Sequence, residues 1–212
     1  MDTTKQPVTE LALLRIKPYV DAAVIRPTLS AAAKAQAEYS TFPVHLLQQI
    51  EDPACIYLLG GWRSVSVHMD DWIPSDTNQG LLASLKDKLD VEWVIHVNID
   101  PTPSLTESDE GIPLNAPTIA IERYFIAPGR TNDFVDTFYS NKNRLKEYIA
   151  PHIMKGGRRL DPITGHEFLF FSGWDTAQDH LEFAKSEGFK GFEQMTKFLD
   201  GVDIKHASVW GS

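Results

Sequence analysis

The sequence predicts an α+β chain in which one folding unit occurs twice. Three observations point there. "GGWRSVSVH" at Gly60–His68 and "SGWDTAQDH" at Ser172–His180 share a Gly-Trp pair, then five residues, then His. The same order of strand and helix signals runs through both halves. Between them lies "DPTPSLTESDEGIPLNAP", four prolines among acids with no apolar periodicity, which reads as an exposed linker.

In the first half, "TELALLRIKP" is a short apolar strand stopped by Pro18. "SAAAKAQAEYSTFPVHLLQQIEDP" follows as a helix, with Ser30 as N-cap and alanines favouring the helical state; Pro43 is expected to kink or restart it. "ACIYLLGGW" is a strand, "GLLASLKDKLD" a helix with Leu82, Leu85 and Leu89 on one face, and "VEWVIHVNI" a closing strand. In the second half, "TIAIERYFIAPG" is a strand. "RTNDFVDTFYSNKNRLKEYIAP" is a helix with Thr131 as N-cap and Phe134, Phe138, Leu145 and Ile149 along one side. "HEFLFFSGW" is a strand, "TAQDHLEFAKSEGFKGFEQMTKFLD" a helix broken at Gly188, and "VDIKHASVW" the last strand. Each half thus reads as a βαββ-like order minus one weak strand. Asp21–Pro27 and "IMKGGRRLD" are the candidates for it.

The halves overlay with two small shifts. Trp62 and Trp174 are 112 residues apart, as are His68 and His180. His96 and His206, Leu89-Asp90 and Leu199-Asp200, and Pro18 and Pro128 are each 110 apart. Three Trp or His matches in corresponding elements are hard to obtain by chance, so the pattern reads as a duplicated domain and not a solenoid. The expected divisions are a first half at 1–100, a linker at 101–117 and a second half at 118–212.

The bulk numbers narrow the function classes. A formal net charge of −9, with one basic run at Lys155–Arg159, argues against nucleic-acid binding. The polar N-terminus "MDTTKQPVTE" and the lack of a long apolar run predict a cytoplasmic protein with no membrane span. Cys55, the single cysteine, sits in an apolar strand and reads as a buried structural thiol. The seven histidines show no HxH, HxxxH or HExxH spacing, and no metal site is expected. No nucleotide-binding or GxSxG motif appears, so no cofactor is expected.

"FFSGWDTAQDHLEFAKSEGFKGFEQ", Phe170–Gln194, resembles the second strand and second helix of the dimeric α+β barrel superfamily, which includes antibiotic-biosynthesis monooxygenases and stress-responsive barrel proteins. Trp174, Asp175, His180, Phe189 and Phe192 fill the places of that pattern; the first half matches through Trp62 and His68 alone. Many relatives carry a second His where this chain has Gly188. The resemblance implies two ferredoxin-like repeats whose antiparallel sheets pack face to face as an intramolecular α+β barrel, so that the chain would be a monomeric pseudo-dimer or a homodimer. Strands apolar nearly throughout, such as "TIAIERYFIA", agree with sheets covered on both faces.

The resemblance implies a cofactor-independent enzyme of secondary metabolism acting on a hydrophobic aromatic or polyketide-like molecule, by cyclisation or by oxygenation. His180 and His68 are the candidate bases, since a neutral imidazole can take a proton from a phenol or an activated carbon. Arg123 or Tyr124 would hold the resulting enolate. Trp62 and Trp174 would line pockets with Phe189, His96 and His206. Each residue also has an ordinary reading: surface histidines, Trp packing anchors, and an Arg123 ion pair. In "VEWVIHVNI", alternation puts Glu92 on the face of His96. The polar loop with His152, Arg158, Arg159, Asp161 and His166 reads as solvated. Two other classes stay open: a non-catalytic small-molecule-binding or stress-responsive barrel, and a haem-handling protein with one His as axial ligand.

Overall fold

A computed structural model of the chain describes residues 6–102, 111–161 and 166–210. Eight of the seventeen residues of the expected linker at 101–117, residues 103–110, therefore fall outside the described residues. Its described end, 111–117, packs down: Pro113 and Ala116 are buried. The chain divides into two compact units, Met1–Pro103 with Val209–Ser212, and Ser104–Ser208.

Unit 1 runs β1 (Val8–Ile16), α1 (Ala22–Ser40), β2 (His45–Gln49), β3 (Cys55–Trp62), a π-helical turn (Val67–Trp72), α2 (Asp76–Leu85) and β4 (Leu89–Val97). Its strands lie in the order β4-β1-β3-β2, antiparallel throughout. Unit 2 repeats this as β5 (Thr118–Ile126), α3 (Thr131–Ile149), β6 (Met154–Arg158), β7 (His166–Trp174), α4 (Ala177–Phe183), a 3-10 segment (Glu187–Phe198) and β8 (Leu199–Val209), in the order β8-β5-β7-β6. Each is a ferredoxin-like βαββαβ unit.

The missing strands are β2 and β6. The second lies within "IMKGGRRLD", as expected. The first does not lie at Asp21–Pro27, which is the opening of α1. Asp21 caps that helix by accepting the Ala23 N–H at 2.7 Å, and Ser30 sits in its interior. Pro27 removes one hydrogen bond near the N-terminal end, a small loss against the burial of Ile25 and Leu29. The helix ends at Ser40 and does not restart after Pro43, because His45–Gln48 pairs with Ile56–Leu59 of β3. Thr41 closes the helix with φ of 67°, unusual for a β-branched residue.

Other local expectations also shift. Leu89 opens β4 instead of ending α2. Arg130, not Thr131, stands at the N-cap of α3, with no side-chain cap bond. The last helix breaks at Ala184–Ser186, just before Gly188. Phe134, Phe138, Leu145 and Ile149 do form the buried side of α3, packed on Phe168, Phe170 and Trp174 of β7. In unit 1, Ile25, Leu29 and Ala33 of α1 pack with Leu14, Ile16 and Ile56. Cys55 is buried, and burial pushes its thiol up to about 11. No helix among the described residues is long and apolar enough to cross a membrane.

Candidate functional site

In each unit a buried carboxylate, an indole and two imidazoles meet between the first strand and the segment after the Trp-ended strand. In unit 1, Glu10 is an acid inside an apolar strand, directly across from Gly60 on β3 and His96 on β4. Its Oε2 accepts from Trp62 Nε1 at 2.6 Å and from Gln36 Nε2 at 2.7 Å. Its Oε1 lies 3.8 Å from His68 Nε2. His68 Nδ1 is 2.7 Å from His96 Nε2, and the His68 ring stacks on Trp62 at 4.3 Å and 7°. Tyr39 and Trp72 close over the indole.

In unit 2, Glu122 of β5 takes the hub position. Tyr124 donates its hydroxyl to Oε2, and Ser172 Oγ lies 3.4 Å from Oε1. Trp174 Nε1 reaches Ser172 Oγ at 2.9 Å instead of the carboxylate. Glu122 Oε1 is 3.8 Å from His180 Nε2, and His180 Nδ1 is 2.9 Å from His206 Nε2. The His180 ring stacks on Trp174 at 4.7 Å and 24°. Tyr148 and Phe183 stand where unit 1 has Tyr39 and Trp72. Trp72 is four residues beyond His68, but Phe183 only three beyond His180. The π-helical turn accommodates the extra residue.

The two carboxylates are not counterparts in the backbone. Val8 pairs with Trp62 and Thr118 with Trp174, so Glu10 corresponds to Ala120 and Glu122 to Ala12. His96 lies across from Glu10, and His206 across from Ala120. The acid has moved two residues along the same strand face, yet it keeps the 3.8 Å spacing to the imidazole.

The electrostatics follow from burial. Both Glu10 and Glu122 are pushed up to about 7 by desolvation, against the opposing pull of their hydrogen-bond donors. Desolvation, helped by neighbouring His206, brings His180 down to about 4. Burial and the adjacent Glu122 raise the Tyr124 phenol well above its usual range. The clusters differ in access: the His68 side chain is 2% exposed and that of His180 13%.

Of the residues singled out from sequence, His68, His96 and Trp62 meet in one unit, and His180, His206, Trp174 and Tyr124 in the other. Phe189 stands one ring away, edge-on to Phe183 at 5.8 Å. Arg123 is not brought to the cluster. It faces the opposite side of β5, where its Nε meets Glu167 Oε1 at 2.6 Å and Arg159 Nη1 meets Glu167 Oε2 at 3.0 Å. Glu92 does not share a face with His96, because β4 bulges opposite Leu13/Leu14 and Glu92 turns out to Arg15 at 2.9 Å. Of the polar loop residues, Arg158 ends β6, and His152 pairs with Asp175 at 2.9 Å. Glu10, Glu122, Gln36 and Ser172 join the site without a sequence motif that marks them. A lone acid at an inward position of "VTELALLRI" was the available signal for the first. An open groove of about 320 Å³ beside α1 and Trp210 is lined by none of these residues.

No protein-family model and no curated protein sequence matches the chain. Solved structures match its fold. An anthrone oxidase-like protein superposes with a TM-score of 0.68 at 10% identity, covering 99% of this chain and 93% of its own. A candidate monooxygenase from Fusobacterium nucleatum subsp. nucleatum does so with a TM-score of 0.66 at 10% identity, covering 99% and 94%. A haem-binding protein from Thermus thermophilus reaches 0.60 at 7% identity, over 96% and 91%. At such identities the likeness is one of fold: this chain has the fold of the dimeric α+β barrel superfamily, with two ferredoxin-like repeats in tandem.

Proposed function

We propose that the chain is a cytoplasmic, cofactor-independent enzyme of secondary metabolism that oxygenates a hydrophobic, polyketide-like aromatic molecule of the anthrone type, and that unit 2 holds the working site. The observation that carries this is the partial opening at His180, whose ring keeps a carboxylate, a second imidazole and a stacked indole around it. His68 has the same company but is sealed. The anthrone oxidase-like and monooxygenase neighbours favour oxygenation over cyclisation, which would begin with the same proton abstraction.

The chemistry balances without a prosthetic group. His180 Nε2 takes a proton from the phenol or from the methylene between the aromatic rings. The electron-rich anion gives one electron to dioxygen, and recombination forms a C–O bond. Protonation yields a hydroperoxide. Loss of the remaining C–H proton with expulsion of hydroxide then leaves a carbonyl, so that CH2 and O2 become C=O and H2O. Trp174 stacks on the His180 ring, and Phe183 and then Phe189 continue the aromatic packing from it.

A haem reading would use the same nitrogen, His180 Nε2, as axial ligand. A Soret band on adding haem to the purified protein would favour it over the base.

The test is oxygen uptake by the purified chain with an anthrone, with one O2 consumed per carbonyl formed. His180→Ala is expected to lower the rate by about 10²–10⁴-fold. Full activity in both His180→Ala and His68→Ala would remove imidazole from the reaction. Ligand retention without oxygen uptake in the unaltered protein would favour a binding barrel.

A further inference from the structure

We infer that Glu122 is the positioning partner of His180, and that this imidazole accepts the substrate proton only while the Glu122 side chain is a carboxylate. The inference rests on the reading of His180 as the base and names the group that makes it competent.

Geometry carries the argument. Glu122 Oε1 is 3.8 Å from His180 Nε2, outside hydrogen-bond reach but well inside the range of an unscreened charge in a buried site. A protonated His180 is costly in this setting, buried and with a second imidazole against its edge. A carboxylate beside it offsets that cost; a neutral acid does not. His180 is held down to about 4, so alone it is a weak acceptor at neutral pH.

The surrounding groups leave Glu122 as the one carboxylate among the described residues placed against this ring. Glu122 faces it from β5, with Tyr124 on the other carboxylate oxygen, and His206 faces it from β8. Ser172 and Trp174 from β7 are uncharged. On its own helix, Asp179 turns to Thr176, and Glu182 turns to Gln178 and Lys185. Asp175 pairs with His152.

The displacement of the acid between the units adds an independent reason. If the carboxylate were only a remnant of duplication, it would stand at Ala120, the counterpart of Glu10. It stands one pleat further along and still meets the imidazole at the same spacing. The hydrogen bonds around it differ completely, with Tyr124 and Ser172 in place of Gln36 and Trp62. The recurring element is the relation between acid and imidazole.

The experiment compares pH–rate profiles for anthrone oxidation in the unaltered protein, Glu122→Gln, Tyr124→Phe and His180→Ala, with near-UV circular dichroism to confirm folding. The unaltered protein is expected to show a rising limb centred near pH 7. Glu122→Gln loses about 100-fold or more in rate, and the limb vanishes. Tyr124→Phe withdraws a donor from the carboxylate, so its limb moves to higher pH. An inactive His180→Ala beside a Glu122→Gln variant of normal rate and profile would overturn the coupling and leave the base intact. Normal rates in both would instead remove the base itself. If Glu122→Gln does not fold, an unshifted limb in Tyr124→Phe overturns the inference.

Discussion

The imidazoles of His180 and His206 meet edge to face, with Nδ1 of the first 2.9 Å from Nε2 of the second. One proton occupies that contact, and protonating both rings puts two cations side by side. Replacing His206 with Gln keeps a hydrogen-bonding side chain and removes the second charge. The His180 midpoint is then expected to rise from about 4, which a ¹⁵N titration of the ring measures. An unmoved or lower midpoint would show that His206 does not hold it down.

Stability should fall with rising pH across the neutral range. Glu10 and Glu122 titrate near 7 in the fold and near 4.5 when unfolded. Each therefore contributes stability that is complete below pH 4.5 and lost as pH rises through 7, on the order of 3 kcal/mol per group as an upper figure. His180 acts with the opposite sign: its folded value near 4 lies below the usual 6.5, so its contribution is present above 6.5 and lost as pH falls through 4. Two carboxyls outweigh one imidazole, and the melting temperature is expected to decline between about pH 4.5 and 7. Glu10→Gln should flatten that slope; a slope unchanged by the substitution contradicts the assignment to Glu10.

Gln36 and Gly60 should behave as a coupled pair. A Cβ at Gly60 would lie 2.6 Å from Gln36 Nε2, so side chains at both places compete for one space beside Glu10. Unit 2 resolves the competition differently, with Ser172 across the strand and Leu145 on the helix. Gln36→Leu removes a bond to Glu10 and is expected to cost about 1.5–3 kcal/mol at pH 8, less at pH 5 where the acid is neutral. Gly60→Ser should be destabilising alone and partly relieved in the double variant. Urea unfolding of the four proteins gives the coupling, and strict additivity would refute the shared space.

Thr41 holds a left-handed backbone at the end of α1, a conformation that glycine adopts without penalty. Thr41→Gly is expected to stabilise the chain by about 1 kcal/mol despite glycine's greater freedom when unfolded. A lower melting temperature would indicate that the threonine side chain matters more than the strain.

The architecture was legible where side-chain periodicity is strong. The apolar strands "ACIYLLGGW" and "HEFLFFSGW" and the aromatic stripe of α3 announce themselves. The short strand β2 does not, because five residues at the end of an alanine-rich helix carry too little pattern, and only pairing with β3 defines them. The Trp and His members of the site showed through their repeat. Glu10, Gln36 and Ser172 did not, since nothing in a strand or helix pattern says which buried polar residues converge. Arg123 is half legible for the same reason: a charge in an apolar strand demands a partner, which gives the ion-pair reading, but only register shows that the partner is Glu167 on the far face.

The one-pleat displacement of the acid has a consequence for how such chains are recognised. Sliding one half over the other at a constant offset brings Glu10 onto Glu122 and suggests an invariant column, whereas strand pairing makes them neighbours. A motif search that demands an acid at a fixed column will pass over any chain in which it has migrated along the strand. A search written as a distance from the imidazole would find both.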